Sequence, residues 1–289
     1  MSQFETGSQA PISKFSGNVA MSAQDILANG YDLSRIPHLE AHFEKLVQEG
    51  TIHGACWAMI HKGNLISNGA IGAGSAVDAR VPMKPDIHFR IASITKIFTT
   101  VALMILAEEG KINLGSTVTA YVPEVKFWEI SVWSLLTHTS GLYPDGDCFP
   151  DDHVKSQWGY VYDAARIHGE NFNWITEGLS AGKRRETGKE WMYCTFGFMI
   201  LGEVITRVSG QKAEDFIMER VVKPMGLDHT GFDYTTEMAK HMFIRGEWHQ
   251  KRVNAFLNGE TQADDSEDAK IDRIVQNKLP APGNGLKST

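Results

Sequence analysis

Ser93 and Lys96 stand three residues apart at the head of an apolar segment, SITKIFTTVALMILAEEGKI. At helical spacing their side chains share one face, and the serine lies at the end where unpaired peptide N–H groups leave partial positive charge. A hydroxyl is a weak nucleophile that needs a base, and a lysine held away from water can act as one or can keep a tyrosinate ready. The same N–H groups lie where an oxyanion would develop. The chemistry of such a pair would be acyl transfer through a serine ester. The plain alternative is an N-cap serine followed by a surface lysine. Chance alone supplies about one Ser-x-x-Lys match in a chain of this size, so the pair needs its context.

That context begins with the helix. Ile94, Ile97, Phe98, Val101, Met104 and Ile105 recur at spacings of three and four and Gly110 closes the run, which predicts a buried helix with these six on its broad apolar face. Upstream, SRIPHLEAHFEKLVQEG carries Ile36, Leu39, Phe43 and Leu46 at the same period and stops at Gly50, an amphipathic helix. GACWAMIHKGNLISNGAIG reads as a β-hairpin turning at Lys62-Gly63-Asn64. Trp133 to Leu136 make a short helical turn ending in Thr-His-Thr-Ser-Gly. Further helices are expected from Phe196 to Val208, stopped by Ser209-Gly210, and from Ala213 to Val222, stopped before Pro224. Tyr143 to Gly188 has weak period and many aromatics. Residues 1–32 are polar and without period, a mobile arm or packing that no pattern reveals, and the tail from Gly259 turns acidic and then Pro/Gly-rich, a loop composition. This order suggests an α+β protein with a sheet part and a helical part.

The 289 residues suffice for one large domain or two interleaved ones. Hydrophobic residues at 42% and charged residues at 22% are globular values that exclude a disordered or fibrous chain. With 28 Lys/Arg against 35 Asp/Glu, a net charge of −7 and no basic stripe, nucleic acid is excluded as a partner. Cys56, Cys148 and Cys194 cannot all pair within one chain and match no zinc or redox spacing, so a reduced, disulfide-free protein is expected. No basic-then-apolar leader opens the chain and no run is long enough to cross a bilayer. The expectation is a cytoplasmic protein with no membrane partner, its oligomeric state open.

Four ordered segments carry a further signal: FRIASITKIFT around Ser93, LLTHTSGL at Leu135 to Leu142, ETGKEWMYCTFGFMILGEVITRVSG at Glu186 to Gly210, and VVKPMGLDHTGF at Val221 to Phe232. Together they resemble the serine β-lactamase-related family of class C β-lactamases, DD-peptidases and similar esterases and acyltransferases, from about Ile36 to the end. The resemblance implies a β-lactamase/DD-peptidase-like α+β fold over residues 33–289 behind an N-terminal arm of 1–32, with a helical subdomain at about 93–225. It implies that Ser93 is the acylated nucleophile and Lys96 its partner. Tyr193, matching the tyrosine of the family's Tyr-x-Asn element, would be the general base of acylation and deacylation, with a core tyrosine at a helix start as the plain alternative. His138 falls in a helix-end turn near the site. His229-Thr230-Gly231 and Lys287-Ser288-Thr289 only mimic the family's third motif, H-x-G or K-T-G; the first matches a structural turn and the second the end of a glycine-rich turn that precedes another helix.

Three departures from the family pattern shape the expectation. Thr195 stands in place of the Asn of Tyr-x-Asn, losing an amide that would bond both the lysine and a substrate carbonyl, which favours esters over lactams. Cys194 beside it is either buried and inert or a point of oxidation or metal inhibition. Nothing after Thr289 supplies the third motif, so the expected fold is C-terminally truncated, its last sheet strands missing and half of its oxyanion hole unaccounted for. The aromatic block from Tyr143 to Trp174 occupies an interval that walls the groove in relatives. Tyr143, Trp158 and Thr195 are therefore candidate substrate contacts, with local packing as the alternative for the aromatics. The expectation that the resemblance implies is a serine hydrolase or acyltransferase acting on a small ester or amide, esters favoured, that needs no metal or organic cofactor. The alternatives are a β-lactamase or DD-peptidase-type amide hydrolase and a catalytically impaired scaffold with a binding role.

Overall fold

The computed structural model describes residues 14–16, 22–145, 156–260 and 266–289. In chain order the principal elements are β1 (Lys14–Ser16), α1 (Ala23–Ala28), α2 (Ile36–Gln48), β2 (Gly54–His61), β3 (Asn64–Gly72), α3 (Thr95–Glu108) and α4 (Val132–Leu136). They continue with α5 (Gln157–His168), α6 (Trp174–Leu179), α7 (Thr195–Ser209), α8 (Ala213–Ile217), α9 (Thr236–Lys240), α10 (Glu247–Leu257) and α11 (Glu267–Lys278). The chain divides into two units. One takes the described residues up to Phe89, those of Tyr234–Gln262, and Thr289; the other takes Arg90–Asp233 and those of Ala263–Ser288.

The first unit is built on an antiparallel sheet in the order β1–β3–β2. The expected hairpin is β2–β3, closed where His61 faces Asn64, and its turn residues Lys62 and Gly63 both take positive φ, as a two-residue primed turn requires. Phe43 of α2 stacks on Trp57 of β2 at 5.6 Å between ring centroids. The stretch read as arm or unpatterned packing holds β1, paired Lys14 to Ile71 on β3, and α1, capped by Ser22 and anchored by buried Ile26. A three-residue strand has no period of its own, and its partner lies far along the chain, so only tertiary pairing reveals it. Phe243, between α9 and α10, stacks on Phe89 at 5.5 Å.

The second unit is helical, its core made by Leu103, Leu106, Leu135, Phe196, Ile200, Leu201 and Ile205, all essentially without exposure. Helix α7 extends the expected Phe196–Val208 by one residue at each end, and Gly210 stops it in the left-handed conformation. The helix expected from Ala213 to Val222 is α8 followed directly by a π-helical turn at Met218–Val222. Two expectations are corrected. The acidic tail is not loop throughout: α11 forms behind Ser266, with Glu267 and Asp268 in its first turn and Lys278 in its last, and seats Ile271 and Val275 in the core. An apolar stripe that narrow is hidden by the charge around it. The buried face of α3 is also not the one chosen from periodicity, since Thr95, Lys96, Thr99, Ala102, Leu103 and Leu106 face inward while Ile94, Ile97 and Val101 are exposed. Among the described residues no helix is long and apolar enough to cross a membrane. Cys148 lies outside the described residues.

Candidate active site

Ser93 lies in a 3-10 turn, Ala92–Ile94, that runs straight into α3. Ala92 sits at φ +44°, a left-handed conformation that costs a non-glycine residue on the order of 1–3 kcal/mol and persists only where its surroundings hold it. They do so through the Ile91 N–H, which donates to the Leu286 carbonyl at 3.0 Å, and the Ile94 N–H, which donates back to Ile91 at 3.0 Å. The result leaves Ser93 exposed at the head of a long helix.

Lys96 follows on the first turn of α3, buried, with its ammonium donating to three acceptors: Ser93 Oγ at 3.2 Å, Thr195 Oγ1 at 3.2 Å and the Gly283 carbonyl at 2.8 Å. Three donors thus meet three acceptors, the condition under which a buried cation is tolerated. Its Nζ also lies 4.9 Å from the ring centre of Tyr193 and 5.4 Å from that of Phe198. Tyr193, carried in just ahead of α7, donates its hydroxyl to Ser93 Oγ at 2.6 Å. The three residues chosen from the sequence as catalytic therefore meet at one oxygen, with no intervening group.

The Gly283 carbonyl was not foreseen. The segment carrying it is pinned to α3 by polar residues, Thr99 donating to the Pro282 carbonyl at 2.7 Å and Thr95 accepting from the Leu286 N–H at 3.1 Å. A Cβ at 283 would lie 2.9 Å from Thr195 Cγ2 and 3.3 Å from Met199 Cε, so glycine is what lets this carbonyl reach the ammonium. The glycine-rich run Gly283-Asn284-Gly285 was the only sequence signal for it.

Asp145 was also missed. Its carboxylate accepts from the Thr195 N–H at 2.9 Å and from the Thr195 hydroxyl at 2.6 Å, and its own N–H donates to the Tyr193 carbonyl at 3.1 Å. Thr195 is consequently not a surface for substrate, because it is buried and its hydroxyl donates to Asp145 while accepting from Lys96. Trp158, the second proposed substrate contact, meets Phe196 edge-on at 5.8 Å and packs against the core. Tyr143 has its backbone N–H and carbonyl bonded by the Gln157 amide. Among the described residues neither ring hydrogen-bonds to or stacks on Ser93, Lys96 or Tyr193, whereas Trp191, not singled out from the sequence, is 65% exposed and stands 5.9 Å from His138 and 6.2 Å from Tyr193.

His138 occupies the helix-end turn at φ +57°, its ring 4.5 Å from that of Tyr193. Nδ1 accepts from the Cys194 N–H at 3.1 Å, which leaves the proton of the neutral ring on Nε2. Burial, assisted by the charge of Lys96 and opposed by Asp145, holds this imidazole below its ordinary value. It is a neutral support for Tyr193, not a triad base. Cys194 is buried and its thiol is pushed up to about 12 by that burial, the state of an inert cysteine. The two look-alike motifs pair with each other, Gly231 and Lys287 exchanging backbone bonds of 3.0 and 2.9 Å. Among the described residues no group of three or more His, Cys, Asp or Glu side chains is placed to hold a metal ion.

A family model described as Beta-lactamase matches residues 39–289. The chain is 30% identical over 210 residues to Protein flp of Staphylococcus aureus (strain COL), covering 70% of this chain and 39% of that protein. It is 28% identical over 197 residues to Penicillin-binding protein 4* of Bacillus subtilis (strain 168), covering 67% of this chain and 41% of that protein. It thus spans about two fifths of the length of these curated relatives. Among solved structures, EstCE1, a hydrolase with promiscuous acyltransferase activity, superposes with a TM-score of 0.63 at 20% identity, over 91% of this chain and 70% of that one, a likeness of fold.

Proposed function

The chain belongs to the β-lactamase family, and from that premise we propose that it is a serine hydrolase or acyltransferase that passes through an acyl-enzyme on Ser93. The observation that carries this reading is the direct contact of Ser93 Oγ with Tyr193 at 2.6 Å and Lys96 at 3.2 Å. As general base Tyr193 acts as its phenolate, its own proton released to solvent and the Lys96 ammonium beside it, and it takes the serine proton as Oγ attacks the substrate carbonyl. Tyr193 then returns that proton to the leaving oxygen, takes another from the water or alcohol that releases the acyl group, and passes it to Ser93 Oγ as the acyl bond breaks. Lys96 supplies positive charge beside both oxygens throughout, and the helix start at Ser93 faces the developing oxyanion.

The substrate class we favour is a small ester. With Thr195 turned inward onto Lys96 and Asp145, no side-chain amide at that position reaches for a substrate carbonyl. The exposed indole of Trp191 gives the group beside Ser93 an apolar flank suited to an acyl chain or aromatic leaving group. The name of Penicillin-binding protein 4* favours a second reading, amide or lactam chemistry at the same serine. Turnover of p-nitrophenyl butyrate and nitrocefin separates them. The ester should be the better substrate and Ser93→Ala should abolish its turnover; a preference for nitrocefin would transfer the assignment to the amide reading, and ester turnover that survives Ser93→Ala would remove Ser93 from the chemistry.

A further inference from the structure

We propose that Asp145 is a positioning residue for the acylation centre, fixing the direction of the Thr195 hydroxyl so that its oxygen is an acceptor for Lys96. The inference rests on the acyl-enzyme reading of Ser93 for its kinetic consequences, and on geometry alone for its structural one. Threonine has one hydroxyl proton. Given to Asp145 Oδ2 at 2.6 Å, it leaves the oxygen's lone pairs as the only thing Thr195 can show to the ammonium 3.2 Å away on the other side. A free hydroxyl rotor could instead point its proton at Lys96 and deprive it of one of three acceptors, and an ammonium that loses an acceptor re-aims, taking its bond to Ser93 with it.

The other oxygen has a separate duty. Helix α7 opens after Cys194, whose side chain makes no capping bond, and Asp145 Oδ1 takes the Thr195 N–H from across the chain at 2.9 Å. Its own N–H grips the Tyr193 carbonyl at 3.1 Å, so one residue straddles the three-residue segment that delivers both Tyr193 and Thr195. A helix cap needs only the first of these bonds. The bond to the Thr195 hydroxyl is the one that points toward the catalytic lysine, and it needs an acceptor there.

Asp145→Asn separates the two duties. The amide has one oxygen and one NH2 for two donors of Thr195, so if the oxygen keeps the backbone N–H, the NH2 meets the hydroxyl and reverses it. Expected for Asp145→Asn is a kcat lowered about 100-fold, the scale of a misplaced catalytic group, with KM nearly unchanged and a displaced acid limb in the pH profile of kcat. Thr195→Val should lower kcat similarly, and the double variant should be no worse than Thr195→Val alone, the non-additivity of two parts of one device. A cap without positioning would instead lower Tm in Asp145→Asn, leave kcat and its pH profile in place, and give additive effects; that pattern overturns the proposal. A crystal structure of Asp145→Asn provides a readout independent of activity. The Lys96 Nζ to Thr195 Oγ1 separation should open beyond hydrogen-bonding distance. Retention of that bond overturns the positioning role even if the acyl-enzyme reading stands, whereas an unlabelled Ser93 in the parent protein removes only the latter.

Discussion

The two faces of α3 reverse the usual relation between hydropathy and burial over its first turns, before Ala102, Leu103 and Leu106 restore it. Its inner face sets Thr95, Lys96 and Thr99 among the least exposed residues of the chain, while its outer face leaves Ile94 and Ile97 at 55% and 62% exposure. An exposed isoleucine forgoes about 1.5–3 kcal/mol of transfer free energy, and a buried hydroxyl without a partner costs about 1–3 kcal/mol. On those magnitudes the observed orientation stands only because every polar group on the inner face is matched. Thr99 meets Pro282, Thr95 meets Leu286, and Lys96 meets Ser93, Thr195 and Gly283. Hydrogen-bond partners carried by a distant segment, together with the fully buried Ala102, Leu103 and Leu106 further along the same face, decide which way this helix turns.

The largest effect expected from breaking the inner face belongs to Lys96→Met, which keeps length and removes charge. Ester turnover should fall by at least about 100-fold, the loss expected when a preorganised charge beside the reacting oxygens is removed, with the circular dichroism spectrum unchanged. An active Lys96→Met would mean that the inner-face ammonium is there for structure alone. Next comes Thr99→Val, isosteric but without a donor. It leaves the Pro282 carbonyl buried and unpaired, and should destabilise by about 1–3 kcal/mol in urea melts, with the segment that carries Gly283 loosened.

How much of this was legible in the sequence depends on the range of the interaction. The Ser93–Lys96 spacing, the hairpin at Lys62-Gly63 and the stop at Gly210 are local, and their residue types are constrained by local geometry, so they read correctly. Tyr193 was reached through the resemblance of the whole segment around it. The burial of α3 was misassigned because the helix is apolar nearly all round and periodicity could not choose between faces; the choice was made by carbonyls nearly two hundred residues away, as in Lys96 to Gly283. Asp145 was invisible for the same reason, since an aspartate in a loop composition reads as a turn residue until its partner Thr195 is brought to it. Thr195 looked like a lost asparagine, yet the structure gives it a carboxylate to lean on.

A subtler consequence concerns His138, whose protonated form is disfavoured first by burial and then by the charge of Lys96. Removing that charge in Lys96→Met should move the His138 titration upward, measured by NMR of the ring proton. The sign carries into stability. A histidine held below its ordinary value of about 6.5 contributes fully above that pH and loses its contribution as pH falls from there through the lowered value, so in Lys96→Met, with the folded value nearer the ordinary one, the acid loss should be smaller and complete at higher pH. An unmoved His138 would say that the ammonium is not felt across the Tyr193 ring. Smallest of all should be Ile97→Gln on the outer face, within about 0.5 kcal/mol of the parent in stability, as for surface positions generally, and a larger loss would show that this face is covered in the folded protein.

The central claim is that Ser93 is a nucleophile made by Lys96 and Tyr193. Intact-mass spectrometry after treatment with a fluorophosphonate probe, followed by peptide mapping, tests it most directly. The folded protein should gain one adduct, located on Ser93, that is absent in Ser93→Ala and slow to form in Lys96→Met; a folded parent protein that stays unlabelled, or is labelled at another residue, would contradict it.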